Sequence, residues 1–101
     1  RFLGVNRNKK SVSLDLRDAR AKKAFENMIQ QSDVLIDNWG PGAMDRLGYS
    51  YDVLKSINVG LVYASITGYG AHEDYDGPYS DWPANNPCVQ GMGAHMDVAV
   101  P

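Results

Sequence analysis

The sequence predicts an α/β fold built on a parallel β-sheet with right-handed βαβ crossovers. Strand-like and helix-like segments alternate along the chain, in the order strand, helix, strand, helix, strand. The run Val34–Ile36 is continuously apolar, which is typical of a strand covered on both faces by helices. No repeat or low-complexity stretch interrupts this alternation. With 101 residues, the chain is expected to hold one domain at most.

The first half of the chain supplies three of these elements. Ser11–Leu16, "SVSLDL", alternates polar and apolar residues and is predicted to be the first strand. Asp18 is predicted to cap a helix over about Ala19–Gln31, because apolar side chains recur on one face of that segment at helical spacing. Val34–Ile36 is then the second strand.

The second half continues the alternation. Three further elements are predicted: a helical turn after Gly42, a helix beginning at Ser50 or Asp52, and a third strand over Leu61–Ile66. Residues 71–87 are rich in Gly, Pro, Asp, Asn and Tyr and predict a long loop. A last helix is predicted to begin near Pro87.

Composition excludes several classes of function. The net charge of −2 gives no support to nucleic-acid binding, which usually leaves a basic surplus. No apolar run approaches the roughly 20 residues that span a bilayer, so no membrane partner is predicted. Cys88 is the single cysteine, so no internal disulfide forms, and this predicts a reducing, cytoplasmic compartment. Cys88 itself is predicted to be a small buried hydrophobe.

The two ends of the sequence resemble the interior of a domain. The chain opens on Arg1 without an initiator Met, and it closes on an apolar run ending at Pro101. We expect residues 1–101 to be one part of a larger domain, truncated at both ends.

Ligands of parallel sheets gather beyond the carboxyl ends of the strands. Three segments are predicted to lie there: the approach to Arg17, the turn at Asn38 and Trp39, and Thr67–Gly70. Thr67–Gly70 includes the motif "GYG", but Glu73 occupies the third glycine position of the dinucleotide fingerprint. A dinucleotide site is therefore not predicted.

The motif "DNWGPG" at residues 37–42 is compatible with two interpretations. Asn38 offers hydrogen-bond donors and acceptors, Trp39 offers a flat apolar surface for a base, and the following helix begins close by. Equally, the motif is typical of an ordinary strand-to-helix connection whose Trp covers the core. Residue chemistry alone leaves these two interpretations balanced.

Two other groups of residues, a basic segment and the histidines, indicate less about function. "NRNKK" at residues 6–10 has the chemistry of an anion contact, but its charge alone favours a solvated basic turn. His72 and His95 are the only histidines, and neither has the spacing of a metal ligand, so no metal site is predicted. His72 lies among acidic residues and is predicted to belong to a hydrated loop.

Three motifs follow one another in a specific order: "NRNKKSVSLDL", "SDVLIDNWGPGAMDRLGYSYDVLKSINVGLVYASITGYG" and "GPYSDWPANNPCVQGMG". In this order they resemble the class III CoA-transferase family (the CaiB/BaiF family). The resemblance covers nearly all of the chain, and the middle motif is the most specific. It implies a Rossmann-like large domain, two copies of which interlace in a homodimer.

The resemblance also implies a chemistry. Members of this family bind coenzyme A and move it between an acyl-CoA thioester and a carboxylic acid, through a covalent intermediate on an aspartate. No metal takes part. The nucleophilic aspartate is expected beyond this segment, since Asp97 lies too early. We therefore predict no catalytic residue among the 101 residues and expect the segment alone to be inactive.

The coenzyme contacts implied by the resemblance fall on the first two motifs. The predicted coenzyme-binding residues are Asn6, Arg7, Asn8, Lys9, Asn38, Trp39, Ala43 and Arg46. The resemblance favours the ligand-binding interpretation of the Asn38–Trp39 turn. Asp37, by contrast, is predicted to be a structural member of that turn.

Departures from the family pattern keep alternatives open. Asn85 and Asn86 stand where the family often has an aromatic residue and an aspartate, and residues 71–76 are longer than the usual connection. One alternative is a racemase of 2-methylacyl-CoA from the same family, although the histidine that such an enzyme needs is missing here. Another is a non-catalytic module that binds CoA or a nucleotide.

Overall fold

The computed structural model describes residues 2–70 and 77–93. In chain order the elements are α1 (Phe2–Val5), α2 (Ala19–Gln30), β1 (Val34–Asp37), α3 (Ala43–Arg46), α4 (Tyr51–Ile57), β2 (Val62–Ser65) and α5 (Asn86–Met92). Predictions that concern His72, His95 and Asp97 lie outside the described residues.

β1 and β2 form a two-stranded parallel sheet. Val34 pairs with Val62 and Asp37 with Ser65, and the ladder is extended at its end by the Ile66 N–H, which donates to the Asp37 carbonyl at 2.9 Å. The sequence predicted both strands to within one residue at either end, and their parallel pairing is confirmed. Parallel neighbours need a crossover connection, and here it contains α3 and α4.

The predicted first strand, Ser11–Leu16, was wrong. None of its residues joins a strand in the part of the chain that the structure describes. Val12 and Leu14 are exposed and Leu16 is half-buried, so most of the apolar face of the alternating pattern is left uncovered there. Alternation favours a strand only when a neighbouring strand satisfies the backbone, and no such neighbour is described beside this segment.

The predicted long helix is confirmed, one residue shorter than expected. The Asp18 side chain accepts the backbone N–H of Arg20 at 2.8 Å, as a helix N-cap does. Ile29 is the fully buried residue of α2. The helix ends at Gln30, and the N–H of Gln31 donates to the Met28 carbonyl in a final tighter turn.

The core lies where α2, α3 and α4 meet one face of the sheet. Its buried residues are Ile29, Met44, Tyr49, Leu54 and Leu61. Tyr49 packs edge-on against Phe25 with ring centroids 4.9 Å apart, and its hydroxyl donates to Glu26 Oε1 at 3.2 Å. A tyrosine at this depth is stable because its hydroxyl keeps a partner at the edge of the core.

The sheet is covered on one face only among the described residues. Leu35 and Tyr63 pack against the core, whereas Val34, Ile36 and Val62 are exposed on the opposite face. The prediction that β1 is covered on both faces was therefore wrong for the described part of the chain. A continuous apolar run does not by itself reveal which element covers each face.

Asn58 joins the ends of α2 and α4 to the start of β2. Its Nδ2 donates to the carbonyls of Ile29 and Ser32 at 2.9 and 2.8 Å, and its Oδ1 accepts the Gly60 N–H at 3.1 Å. One side-chain amide therefore bonds to three backbone groups from segments that are separate in the chain. These bonds fix how the chain enters β2.

The last helix begins as predicted near Pro87. Asn85 is its N-cap, and its side chain accepts the Cys88 N–H at 3.2 Å. Cys88 is exposed, so the prediction of a buried small hydrophobe was wrong. Val89 and Met92 are also exposed, because the described residues offer α5 no core to pack against.

Candidate functional site

The turn that follows β1 is held by the carboxylate of Asp37. One oxygen, Oδ1, accepts the backbone N–H of Trp39 at 3.1 Å. The other, Oδ2, accepts the hydroxyl of Tyr63 from the neighbouring strand. Asp37 is buried, and both of its oxygens have partners. The prediction that Asp37 is a structural member of the turn is confirmed.

The turn then passes directly into α3. Gly42 is the residue before the helix and adopts a left-handed conformation, with φ of 70°, which favours glycine. The Ala43 N–H donates to the Gly40 carbonyl at 3.1 Å, so this first N–H of the helix is already used. Arg46 folds back, and its Nη1 donates to the Pro41 carbonyl at 3.1 Å. Arg46 therefore braces the turn from the helix side.

A cavity of about 130 Å³ lies against the other side of this turn. Three segments line it: residues 38–41 after β1, residues 66–68 after β2, and residues 82–84 before α5. We call it the indole cavity, because Trp39 and Trp82 both border it. Trp39 is 48% exposed and Trp82 58% exposed, so each has ring surface available. The prediction that the ends of the strands meet at one place is confirmed for β1 and β2.

The walls of the indole cavity touch at Gly68. A Cβ on Gly68 would lie 2.1 Å from the Cβ of Ala84. No pair of carbon atoms tolerates that distance, so the absence of a side chain at Gly68 permits the segment after β2 to lie against the segment before α5.

A second cavity, of about 210 Å³, lies on the core side of the turn. We call it the tyrosine cavity, since it is bordered by Tyr51 and Tyr63, whose rings stack with centroids 6.4 Å apart. Burial and the hydrogen bond to Asp37 raise the pKa of Tyr63 to about 12. The phenol is therefore a neutral donor to Asp37 at physiological pH.

The basic segment lies at the end of α1. Asn6 donates from Nδ2 to the Phe2 carbonyl at 2.9 Å and accepts from Lys9 Nζ at 3.3 Å. Asn8 has φ of 62°, a conformation that asparagine tolerates better than most residues. Asn6 and Lys9 border a further cavity with Phe2, Lys10, Ser11 and Val12. The Arg7 side chain is exposed.

The structure thus divides the predicted site residues among several places. Asn38 and Trp39 lie together in the indole cavity. Ala43 borders the tyrosine cavity instead, and Arg46 bonds to its own turn. Asn6 and Lys9 border the cavity beside α1, with Arg7 and Asn8 in the turn between them.

The approach to Arg17 was also expected at the ligand edge, and the structure does not place it there. Arg17 pairs with Asp15 through its Nε and Nη2, both at 2.9 Å, and the two side chains are exposed. Neither residue borders the indole cavity. The expectation depended on a strand at Ser11–Leu16, which the structure lacks among its described residues.

Sequence reasoning missed Trp82 and Ala84 as wall residues. Both precede α5, far along the chain from the Asn38–Trp39 turn, so no local pattern connects them with it. The sequence did contain two features that could have pointed to this contact, a glycine soon after β2 and a Pro-Ala segment before α5. A glycine that follows a strand often marks a close approach of another backbone.

Comparison with known proteins decides the family. Residues 1–100 match the sequence profile of CoA-transferase family III. The chain belongs to CoA-transferase family III. The predicted family is confirmed. Solved structures of related proteins agree with the mixed α/β fold of this family III chain.

Two curated relatives illustrate the match. A formyl-CoA:oxalate CoA-transferase from Streptomyces avermitilis is 42% identical over 95 residues, which cover 94% of this chain and 22% of the relative. An acetyl-CoA:oxalate CoA-transferase from Acetobacter aceti is 42% identical over 95 residues, which cover 94% of this chain and 23% of that protein. The family III chain thus spans less than a quarter of the length of these relatives.

Solved structures agree in fold. A CaiB/BaiF family protein from Brucella suis superimposes with a TM-score of 0.78 and 36% identity, over 88% of this chain and 22% of that one. A hypothetical protein from Mycobacterium tuberculosis superimposes with a TM-score of 0.77 and 35% identity, over 94% of this chain and 26% of that one.

Two classes of feature are absent from the described residues of the family III chain. None of their helices is both long and apolar enough to cross a membrane. Within residues 2–70 and 77–93, no group of three or more His, Cys, Asp or Glu side chains is arranged to hold a metal ion.

The contact at Gly68 gives a first prediction. Gly68→Ala is expected to lower the free energy of unfolding by about 1–3 kcal/mol, because the new methyl group overlaps Ala84 and forces the two walls apart. Adding Ala84→Gly removes the overlapping atom and is expected to restore most of the loss. Urea unfolding of the intact protein measures both variants.

The matched control is Gly40→Ala in the same cavity. A methyl group at Gly40 meets no atom within 4 Å, and its expected cost is under about 0.5 kcal/mol. If Gly68→Ala proves as mild as Gly40→Ala, or if Ala84→Gly fails to rescue it, the close approach of the two walls is contradicted.

The pKa of Tyr63 gives a second prediction. Because its pKa is raised from 10.0 to about 12, its contribution to stability is full below pH 10 and is lost as the pH rises from 10 to 12. As the pH rises, the unfolded chain loses the Tyr63 proton at a lower pH than the folded chain does. In a spectrophotometric titration of tyrosinate, Tyr63→Phe should remove a transition near pH 12. A titration curve whose late phase survives that substitution would assign the raised pKa to another tyrosine.

Proposed function

We propose that this protein transfers coenzyme A between an acyl-CoA thioester and a carboxylic acid, and that the indole cavity receives part of the coenzyme. The single observation that carries the proposal is the position of Asn38 and Trp39. The two residues that the family resemblance implies as coenzyme contacts lie side by side in a cavity at the carboxyl end of a parallel sheet. That edge is where ligands of such sheets gather.

The chemistry of the cavity suits one portion of the coenzyme. The exposed indole of Trp39 offers a face on which adenine or the pantetheine arm packs. Asn38 is exposed beside it and offers an amide donor and acceptor. A volume of about 130 Å³ is below the roughly 300–1,000 Å³ of pockets that enclose a drug-sized ligand. The cavity therefore accommodates a part of the coenzyme, and its other parts lie elsewhere.

The basic segment supplies the second part of the proposed site. Coenzyme A carries a diphosphate and a ribose phosphate, which need cations and N–H donors. Arg7 is exposed, and Lys9 and Lys10 border the cavity beside α1. A long ligand with separate charged and apolar portions is matched by separate charged and apolar places on the protein.

The proposed reaction proceeds through an aspartyl intermediate. An aspartate oxygen attacks the thioester carbonyl carbon, the C–S bond breaks, and the coenzyme leaves as thiolate, so that a mixed anhydride remains on the enzyme. Further exchanges with the thiolate and the acceptor acid complete the transfer. Asp37 is unsuited to this role, since one of its oxygens accepts the Trp39 N–H and the other accepts the Tyr63 hydroxyl. We place the nucleophile outside these 101 residues.

The names of the relatives support a choice of first substrates. Relatives with about 42% identity are called formyl-CoA:oxalate and acetyl-CoA:oxalate CoA-transferases. We infer oxalate as the acceptor acid and a short acyl-CoA as the donor. By the family resemblance we also infer Rossmann-like domains in an interlaced homodimer. The single cysteine, Cys88, is the ground on which we propose a cytoplasmic location.

Binding of the coenzyme by Trp39 gives the third prediction. Trp39→Ala is expected to weaken CoA binding roughly tenfold, since stacking on an aromatic ring contributes about 1–3 kcal/mol per base. Trp39→Phe keeps an aromatic face and should lose much less. Isothermal titration calorimetry of the intact protein measures Kd, and thermal unfolding monitors the fold.

Arg20→Ala is the control for truncating a large exposed side chain outside the indole cavity. Arg20 lies on α2, exposed and paired with Asp18, away from the indole cavity. Equal affinity for CoA in Trp39→Ala and wild type, with both folded, would contradict a coenzyme role for this side chain. A lower melting temperature without a change in Kd would assign Trp39 a structural role.

The reaction itself gives the fourth prediction. Intact protein incubated with formyl-CoA or acetyl-CoA should release free thiol and gain the mass of the acyl group, and hydroxylamine should convert the modified residue to a hydroxamate. Addition of oxalate should yield oxalyl-CoA. CoA binding without acyl transfer to the protein would favour the non-catalytic module. Exchange of the α-proton of a 2-methylacyl-CoA, without transfer, would favour the racemase.

A further inference from the structure

The turn that carries Trp39 is connected to the neighbouring strand through one buried carboxylate. Asp37 closes β1, and Tyr63 lies on the same face of β2, one step away diagonally, since Asp37 itself pairs with Ser65. The hydroxyl of Tyr63 donates to Oδ2 of Asp37, and the N–H of Trp39 donates to Oδ1 at 3.1 Å. The two donors approach opposite oxygens of the same group.

The two bonds have different consequences. The bond to Trp39 closes a local turn of the kind that Asp side chains make with a backbone N–H two residues ahead. The bond to Tyr63 fixes the orientation of the carboxylate, because it ties Oδ2 to a ring on another strand. Tyr63 is itself held, since its ring stacks on Tyr51 with planes 13° apart. The sheet therefore determines where the N–H of Trp39 is held.

We propose that Asp37 and Tyr63 form a latch that positions the Asn38–Trp39 turn in the conformation that builds the indole cavity. The turn has few other restraints on this side. Asn38 and Trp39 are both exposed, and Gly40 adds a flexible residue directly after them. The role in coenzyme binding rests on the proposed function, whereas the ordering of the turn does not. Both latch residues are positioning residues: Asp37 accepts the Trp39 N–H, Tyr63 acts on Trp39 only through Asp37, and neither is proposed to touch the ligand.

A pair of phenylalanine substitutions tests the latch in the intact protein. Tyr63→Phe removes the hydroxyl that binds Asp37 and keeps the ring. Tyr51→Phe removes a hydroxyl from the stacked ring of the same cavity, and that hydroxyl bonds to no described residue. Each variant removes one tyrosine hydroxyl and keeps the ring, but only Tyr63→Phe removes a hydrogen bond to Asp37.

Two measurements are made on each variant. Hydrogen exchange, followed by mass spectrometry of the peptide that contains Trp39, reports the order of the turn without any ligand. Calorimetric titration with CoA reports the Kd. Tyr63→Phe is expected to speed exchange at Trp39 and to raise the Kd, each roughly two- to tenfold, which corresponds to the loss of one hydrogen bond. Tyr51→Phe should stay within twofold of wild type in both measurements.

The double variant with Asp37→Ala provides a second line of evidence, because alanine removes both oxygens that bond to Tyr63 and Trp39. If Tyr63 acts through Asp37, Tyr63→Phe should change Trp39 exchange much less in the Asp37→Ala protein than in wild type. Fully additive effects would overturn the latch. Faster exchange in α2 to the same extent as at Trp39 would also overturn it, because that pattern indicates general destabilisation.

The outcomes separate the latch from the proposed function. Selective loosening of Trp39 in Tyr63→Phe, in a protein whose wild type fails to bind CoA, would support the latch and overturn the coenzyme role. Normal CoA binding in wild type, with Trp39 exchange unchanged by Tyr63→Phe, would support the coenzyme role and overturn the latch.

Discussion

The parallel pairing of β1 with β2 is the constraint on which the rest of the described structure depends. It sets Asp37 opposite Ser65, and both strands therefore end at one edge of the sheet. Because the strands run in the same direction, their following loops leave from the same place. The Asn38–Trp39 turn and the Ile66–Gly68 segment become neighbours for this reason, although more than 25 residues of chain separate them. The same pairing brings Tyr63 within reach of Asp37.

The indole cavity is formed by loops, and its shape depends on how tightly these loops approach. Gly68 lies so close to Ala84 that no side chain fits between them. The segment before α5 is thus placed by its contact with the segment after β2. The turn after β1 is held by Asp37. Loops that carry binding residues are usually mobile, and they bind well only when the scaffold orders them. Here one steric contact and one buried carboxylate provide that order.

Much of this arrangement was predictable from the sequence, and the exceptions have physical causes. The capped helix after Asp18, both observed strands and the start of α5 follow from local patterns of capping and hydrophobic spacing. The strand at Ser11–Leu16 failed because alternation describes a strand that has a partner, and partnership is a property of the whole sheet. Burial of Cys88 failed for the same reason, since exposure depends on what packs over α5.

The candidate site shows the same contrast between residues that a local motif indicates and residues that matter because distant segments come into contact. A contiguous motif drew attention to Asn38 and Trp39, which border the indole cavity, whereas the positions of Trp82 and Tyr63 depend on contacts across the chain. Asp37 was understood as structural, but its partner on β2 could be found only in three dimensions. Contiguous residues are accessible to pattern reasoning, and pairs brought together by the sheet are not.

The Asp37–Tyr63 pair also explains why a carboxylate is kept at a buried position. Burying a charged oxygen costs free energy unless hydrogen bonds replace its water, and here two donors do so. An apolar pair of similar volume would avoid that cost and would pack against the same core. It would, however, leave the N–H of Trp39 without an acceptor inside the turn. The polar pair therefore specifies the geometry of the turn, because it supplies the acceptor for that N–H and hydrophobic residues supply none.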